Sequence, residues 1–323
     1  MKKILLLFVK ITITLFIIFF ICELTLCISG RQRYKHERKM NNLPNLTYKL
    51  RPYIQYSNIN DLDCDIKSNN NCAGKIRLPS GLEYKNRTPI TVFGCSYAHG
   101  DILLKQNQIF SHKLAEILKR PVYNRALIGA DFSWMYYQAT NEDFYKKVPA
   151  SDTVIYIMIQ DHYRRMLNYK FDPCEDFFRL NYKFDIKNKT LTKNDYDNEF
   201  YNLLKSSYTI SYLYSILVKY YINNKKNADK ITDVVLYYFI NTRAELEKHW
   251  NNKLNFIIVF YESDEIKYSK ILRKKLTDNG FKVISTKEIT NSNLCDSNNM
   301  ENGHPTEQVW DLLTPLIVKK AGI

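Results

Sequence analysis

The chain has 323 residues, a formal net charge of +14, 45% hydrophobic residues and 14% aromatic residues. That length accommodates one large α/β domain or two small ones, and the composition excludes a small disulfide scaffold, a collagen-like fibre and wholesale disorder. The charge alone does not point to nucleic acid, because the lysines are scattered among abundant Asn, Ile and Tyr with no zinc-finger, RNP or helix-turn-helix pattern; its expected effect is attraction to anionic surfaces such as lipid headgroups or acidic polymers.

Met1-Lys2-Lys3 precedes a run from Ile4 to Ile21 interrupted only by Lys10 and two threonines. At about 1.5 Å per residue this run nearly spans a ~30 Å hydrocarbon layer, so residues 1–30 are expected to be an uncleaved N-terminal transmembrane helix, with Lys10 snorkelling near one end. The competing reading is a cleaved signal peptide, with Lys2, Lys3 and Lys10 as its basic region and Ile11 to Ile21 as its apolar core. No A-x-A site follows, and Leu24-Thr25-Leu26-Cys27 is a poor lipobox. Arg31, Arg33, Lys35, Arg38 and Lys39 outnumber Lys2 and Lys3, which on the positive-inside rule favours a cytoplasmic C-terminus. A short basic tail before a first apolar segment is also how exported, signal-anchored chains begin, and the expectation is a single-pass protein with its bulk extracytoplasmic. Cys64 and Cys72 are close enough to form a small disulfide loop or to remain two thiols; the absence of C-x-x-C and Cys/His ligand spacings argues against a structural metal.

Residues 31–88 are polar, contain Pro44, Pro52 and Pro79 and read as a loosely packed juxtamembrane linker. From 89 the pattern changes. Pro89 to Phe93, ending in Gly94, reads as a strand, Gln108 to Lys119 as a helix, Val122 to Asn124 as a second strand, Phe132 to Tyr145 as a second helix, and Asp152 to Ile159 as an apolar strand covered on both faces. Residues 166–250 read as an insertion with helices at Phe200 to Tyr221 and Ala228 to His249. The alternation resumes with a strand at Leu254 to Tyr261, a helix at Glu265 to Asn279, a strand at Phe281 to Ser285 and a final helix at Thr306 to Lys320. The expected fold is a three-layer α/β/α sandwich with a flavodoxin-like five-stranded parallel sheet over 89–323.

In such sheets working residues gather at the carboxyl ends of the strands. The first strand is followed by Gly94-Cys95-Ser96-Tyr97-Ala98-His99-Gly100, the second ends in Asn124-Arg125-Ala126-Leu127-Ile128-Gly129, the third runs into Gln160-Asp161-His162, and Glu301-Asn302-Gly303-His304-Pro305 lies beyond the fifth. Together they supply a serine on a strand-to-helix turn, a glycine N–H, a polar side chain and an acid three residues before a histidine, the parts of an acyl-transfer site.

In these blocks the sequence resembles the SGNH hydrolases, the GDSL-type esterases and acyltransferases, over about Pro89 to Ile323. Cys95 stands where the motif has the Asp of G-D-S, Met158-Ile159-Gln160-Asp161 where it has G-x-N-D, and Glu301 where it has the Asp of D-x-x-H. The resemblance implies Ser96 as nucleophile, His304 as base and Glu301 as its orienter, with an oxyanion hole from the Ser96 and Gly129 N–H groups and the Gln160 amide. A serine hydroxyl needs an imidazole to take its proton; His304 is preferred to His99, which has only Asp101 as a carboxylate in its own block. The extra methylene of Gln160 shifts its amide by more than about 1 Å relative to Asn, which matters for an oxyanion donor. Asp161, His162 and Arg165 are expected either to line the cleft or bind an acidic substrate group, or to be solvated surface charge.

The expected activity is hydrolysis or transfer of a small acyl group, plausibly acetyl, on an extracytoplasmic carbohydrate or envelope polymer. A lipid-directed esterase or lysophospholipase, and a noncatalytic glycan-binding scaffold on a degenerate SGNH fold, are the alternatives. The tyrosine pairs Tyr136-Tyr137, Tyr220-Tyr221 and Tyr237-Tyr238 are expected to pack rather than to stack on sugars. With no P-loop or G-x-G-x-x-G, no nucleotide cofactor is indicated, and the chemistry calls for no metal.

Overall fold

The computed structural model describes residues 10–22, 24–25, 76–100, 104–168, 227–261, 268–290 and 304–323, the backbone of 63–64, 182–185, 190–193 and 300–301, and scattered positions between 210 and 224. The chain divides into two units, one of Met1–Asn58, Lys170–Cys174 and Tyr196–Val218, the other of Ile59–Tyr169, Glu175–Asp195 and Lys219–Ile323.

The larger unit holds a five-stranded, all-parallel sheet. Its strands are β1 (Ile90–Gly94), β2 (Val122–Asn124), β3 (Thr153–Met158), β4 (Asn255–Phe260) and β5 (Lys282–Ser285), in the order β2-β1-β3-β4-β5, as in flavodoxin-like sandwiches. The near-continuous apolar runs of β3 and β4 follow from burial on both faces. Val154, Tyr156 and Met158, with Phe256, Ile258 and Phe260, point into one core. Ile155, Ile157, Ile257 and Val259 point into the other.

Around the sheet run α1 (Ser96–His99), α2 (Phe110–Leu118), α3 (Phe132–Ala139), α4 (Glu142–Lys147), α5 (Asp161–Asn168), α6 (Ala228–Trp250), α7 (Ser269–Asp278), α8 (Thr286–Ile289) and α9 (Glu307–Ala321). The first core packs α3, α6 and α7 through Phe132, Met135, Val235, Phe239, Leu272 and Leu276. The second packs α2 and α9 through Phe110, Leu114, Val309, Trp310, Leu313 and Ile317, with the Phe110 and Trp310 rings 5.2 Å apart. Two apolar faces, each covered by helices, make the three layers.

Two expectations need correction. The single helix over Phe132 to Tyr145 is two, because Asn141 accepts a hydrogen bond from the Asp143 N–H at 3.0 Å and caps a new helix, while the Thr140 hydroxyl donates back to the Tyr136 and Tyr137 carbonyls; Asn and Thr compete with the helical backbone in this way. The residues after β3 form α5. The segment read as a linker is built into the domain from Ile76 on: Ile76 and Arg77 are buried, and Ser80 exchanges both backbone hydrogen bonds with Val122 at 2.9 Å.

In the smaller unit residues 10–22 are helical, with apolar side chains such as Phe16, 71% exposed, facing out. Among the described residues no helix is long and apolar enough to cross a membrane; the run expected to do so begins at Ile4, outside them. The expected helix over Phe200 to Tyr221 and the Cys64–Cys72 bridge also lie largely outside the described residues. Within the insertion an antiparallel pair, Tyr182–Asp185 with Thr190–Lys193, precedes α6 in the chain. Tyr136 packs on Tyr238 at 6.3 Å and Tyr137 on Trp134 at 5.8 Å.

Candidate active site

β1 and β3 lie side by side although α2, β2 and α3 separate them in sequence, so the carboxyl end of β1 is the point where the strand order reverses and a crevice opens. Ser96 begins α1 there. The turn into α1 requires glycine at 94, whose φ is +149° and where a Cβ would lie 2.9 Å from the Ala98 Cβ and 3.0 Å from the Ile157 carbonyl oxygen. Gly100 closes the helix by donating its N–H to the Ser96 carbonyl at 2.8 Å.

His304 Nε2 lies 2.8 Å from Ser96 Oγ. The serine is 3% exposed and the histidine partly buried, so the pair has one covered side and one open side. His304 reaches it from a short antiparallel ribbon in which Met300–Glu301 pairs with His304–Pro305, Glu301 standing opposite His304. The Glu301 side chain lies outside the described residues. Asn302-Gly303, the dipeptide between the two strands, is the one preferred in two-residue hairpins. The imidazole stands beside Tyr97, ring centres 5.6 Å apart, and Tyr97 meets Tyr261 edge-on at 5.1 Å. Tyr261 in turn packs 6.0 Å from Trp310. This aromatic row packs beside His304, and no spacing in the sequence joins Tyr97 to Tyr261. His99, the rival base, is fully buried.

Cys95, in the place of the motif's Asp, is a buried thiol with Sγ 3.9 Å from Ser96 Oγ. It belongs to the second core as a small apolar group.

The loop carrying Gly129 is fastened to β1. Arg125 N–H donates to the Val92 carbonyl and Leu127 N–H to that of Gly94, and Ala130 N–H closes a turn onto the Leu127 carbonyl. Gly129, with φ +78°, takes the turn position that needs a left-handed residue. Asn124 ties this loop to the serine's helix: its Nδ2 donates to the Ala98 carbonyl at 2.8 Å and lies 3.1 Å from Ser111 Oγ, and its Oδ1 accepts from the Ala126 N–H at 3.1 Å. Trp134 Nε1 donates to the Arg125 carbonyl, while the Arg125 guanidinium donates to Gln138 Oε1.

Gln160 stands exposed at the end of β3, its carbonyl accepting from the Tyr163 N–H. Of Asp161, His162 and Arg165, expected either at the cleft or as solvated charge, His162 fits neither. His162 is fully buried, with Nδ1 3.0 Å from the Tyr156 hydroxyl and its ring edge-on to Phe132. Burial, reinforced by the Arg165 cation, holds its pKa well below the usual imidazole range, so it is a neutral core residue. Burial likewise drives the Tyr156 hydroxyl well above its usual pKa. Arg165 donates to the Ala130 carbonyl at 3.1 Å and pairs with Asp161 at 3.2 Å. It thereby joins α5 to the Gly129 turn, and the half-exposed Asp161 is its counter-ion.

No protein-family model matches the chain and no curated protein does. Among solved structures the chain is similar to a candidate GDSL-like lipase from Bacteroides ovatus (11% identity, TM-score 0.37, covering 72% of this chain and 96% of that one). It is similar too to the lipase Lip_vut3 from a goat rumen metagenome (10%, 0.43, 73% and 98%). A third is a carbohydrate esterase family 2 enzyme with a carbohydrate-binding domain from Corynascus thermopiles (12%, 0.40, 73% and 67%).

Proposed function

We propose that the chain is a serine esterase or acyltransferase of SGNH type. The observation that carries this reading is the 2.8 Å approach of His304 Nε2 to Ser96 Oγ at the carboxyl ends of a parallel sheet. In the first step the Ser96 hydroxyl proton passes to His304 Nε2 as Oγ bonds to the ester carbonyl carbon, whose π electrons move onto its oxygen. Collapse of that intermediate breaks the bond to the alcohol, which leaves with the proton from His304, and the acyl group stays on Ser96. Water, or an acceptor hydroxyl in transfer, repeats the sequence in reverse. The N–H groups of Ser96 and Gly129 and the Gln160 amide are the assigned donors to the developing oxyanion, and Glu301 the assigned orienter of His304.

The substrate proposed is an O-acyl, plausibly O-acetyl, carbohydrate or envelope polymer outside the cytoplasm, reached from a membrane anchor in residues 1–30. The outward-facing apolar side chains of residues 10–22 support the anchor. The exposed position of Gln160 and the thiol at 95 favour the second reading, a noncatalytic binding protein on the same fold.

Fluorophosphonate labelling of the full-length chain in detergent separates the two. Labelling of the wild type, lost in both Ser96→Ala and His304→Ala, is the expected result. A folded wild type that does not label would overturn the catalytic reading.

A further inference from the structure

Arg77 takes no part in the chemistry above, yet it is 2% exposed. It lies upstream of the first core strand, in a stretch whose polar composition reads as linker. Its Nε donates to the His99 carbonyl at 3.0 Å, and its Nη2 to the carbonyls of Leu104 at 2.9 Å and Gly100 at 3.4 Å. These carbonyls sit at the end of α1 and just beyond it.

A one-turn helix cannot satisfy its own terminal carbonyls, nor does it form without outside support. α1 receives that support from buried side chains: Asn124 takes the carbonyl of Ala98, and Arg77 takes the next two. Hydrogen bonds from a charged donor are about twice as strong as neutral ones, and the planar guanidinium fixes the direction of its partners as well as their distance. The guanidinium is itself held in register. The Arg77 backbone pairs with Cys64 in a short parallel ladder, and three residues on Ser80 is bonded to Val122 in both directions. Ile109 closes the other side, since a Cβ at Gly100 would meet its Cγ2 at 2.2 Å.

We propose that Arg77 is a positioning residue for Ser96: it clamps the carbonyl end of the one-turn helix that begins with the nucleophile, and thereby sets the Ser96–His304 geometry. This rests on the reading of Ser96 as an activated serine. A misplacement of about 1 Å costs on the order of 100-fold in rate, so releasing the clamp reaches the reaction without touching a reacting atom.

The test compares full-length wild type with Arg77→Met, Arg77→Lys and the stability control Ile76→Ala, whose residue is buried beside Arg77 but donates nothing from its side chain to α1. The readout is the second-order rate of fluorophosphonate labelling, taken at a temperature where melting curves show every protein folded. Arg77→Met is expected to label at least about tenfold slower than wild type, and Arg77→Lys, which keeps the charge but loses the fork, to fall between. Ile76→Ala is expected to label at the wild-type rate despite a lower Tm. Labelling of Arg77→Met at the wild-type rate, or an equal slowing in Ile76→Ala, would overturn the positioning role. If Arg77→Met does not fold, Arg77→Lys against Ile76→Ala carries the same decision. A wild type that fails to label removes the serine reading and this role with it, whereas a labelling wild type matched by Arg77→Met removes this role alone.

Discussion

Burying His162 as a neutral imidazole makes the stability of the domain depend on pH in a calculable way. The ring is fully buried, one nitrogen faces the Tyr156 hydroxyl, and Arg165 stands nearby as a second obstacle to protonation, so burial and then this cation hold the folded-state pKa well below the unfolded one. Above about pH 6.5 the group is neutral in both states and costs nothing. Below it the unfolded chain takes up a proton that the fold refuses, so stability falls as pH falls until the folded pKa is reached. By pH 4.5 the loss can reach a ceiling of about 3 kcal/mol, set by the unfolded-state pKa near 6.5, or roughly 5–10 °C in Tm for a domain of this size. His162→Gln keeps an acceptor for Tyr156 but cannot titrate. Melting curves of both proteins from pH 8 to 4.5 should show the wild-type advantage present at pH 8 shrinking steadily below about pH 6.5, by no more than that ceiling. Parallel curves would refute the reasoning.

Gly94→Ala should destabilise the domain by about 1–3 kcal/mol, because φ +149° and the approaches to Ala98 and Ile157 both exclude a methyl group, and chemical denaturation measures it directly. Trp310→Ala should cost about 3–5 kcal/mol, since the indole is fully buried against Phe110 and Tyr261; a loss under about 1 kcal/mol would mean that α9 is not held this way. Tyr97→Leu should slow fluorophosphonate labelling more than it lowers Tm, as the ring's contact is with His304, and unchanged labelling would remove it from the support of the base.

The sheet was legible because its chemistry is local. Val122–Asn124 has the predicted bounds, and β3 and β4 announce themselves as apolar runs with both faces buried. The segments beyond the sheet's strands carry Ser96 and His304, and the resemblance of those blocks to a known motif set is what joins the two in the sequence. What was not legible depends on partners distant in sequence. Arg77 looks like any solvated arginine until three carbonyls from the next thirty residues converge on it. Asp161-His162-Tyr163 looks polar, yet His162, Tyr163 and Met166 form the buried stripe of α5, where aromatic neighbours override a polar composition. The break at Thr140 turns on one amide cap, too fine a feature for periodicity.

Ser96 and His304 are 208 residues apart along the chain. Bringing the ends of so long a segment together costs, by chain entropy alone, about 3.5 kcal/mol more than closing a turn of four. The hydrogen bond between them cannot meet that cost; the sheet and the packing of α9 on α2 must. During synthesis the serine's strand and helix leave the ribosome long before the base does, so a half-made copy carries an inert hydroxyl. On the proposed function, labelling of Ser96 is therefore a late report that the whole sandwich has closed, and it should vanish at the denaturant concentration where the sheet unfolds, not before it.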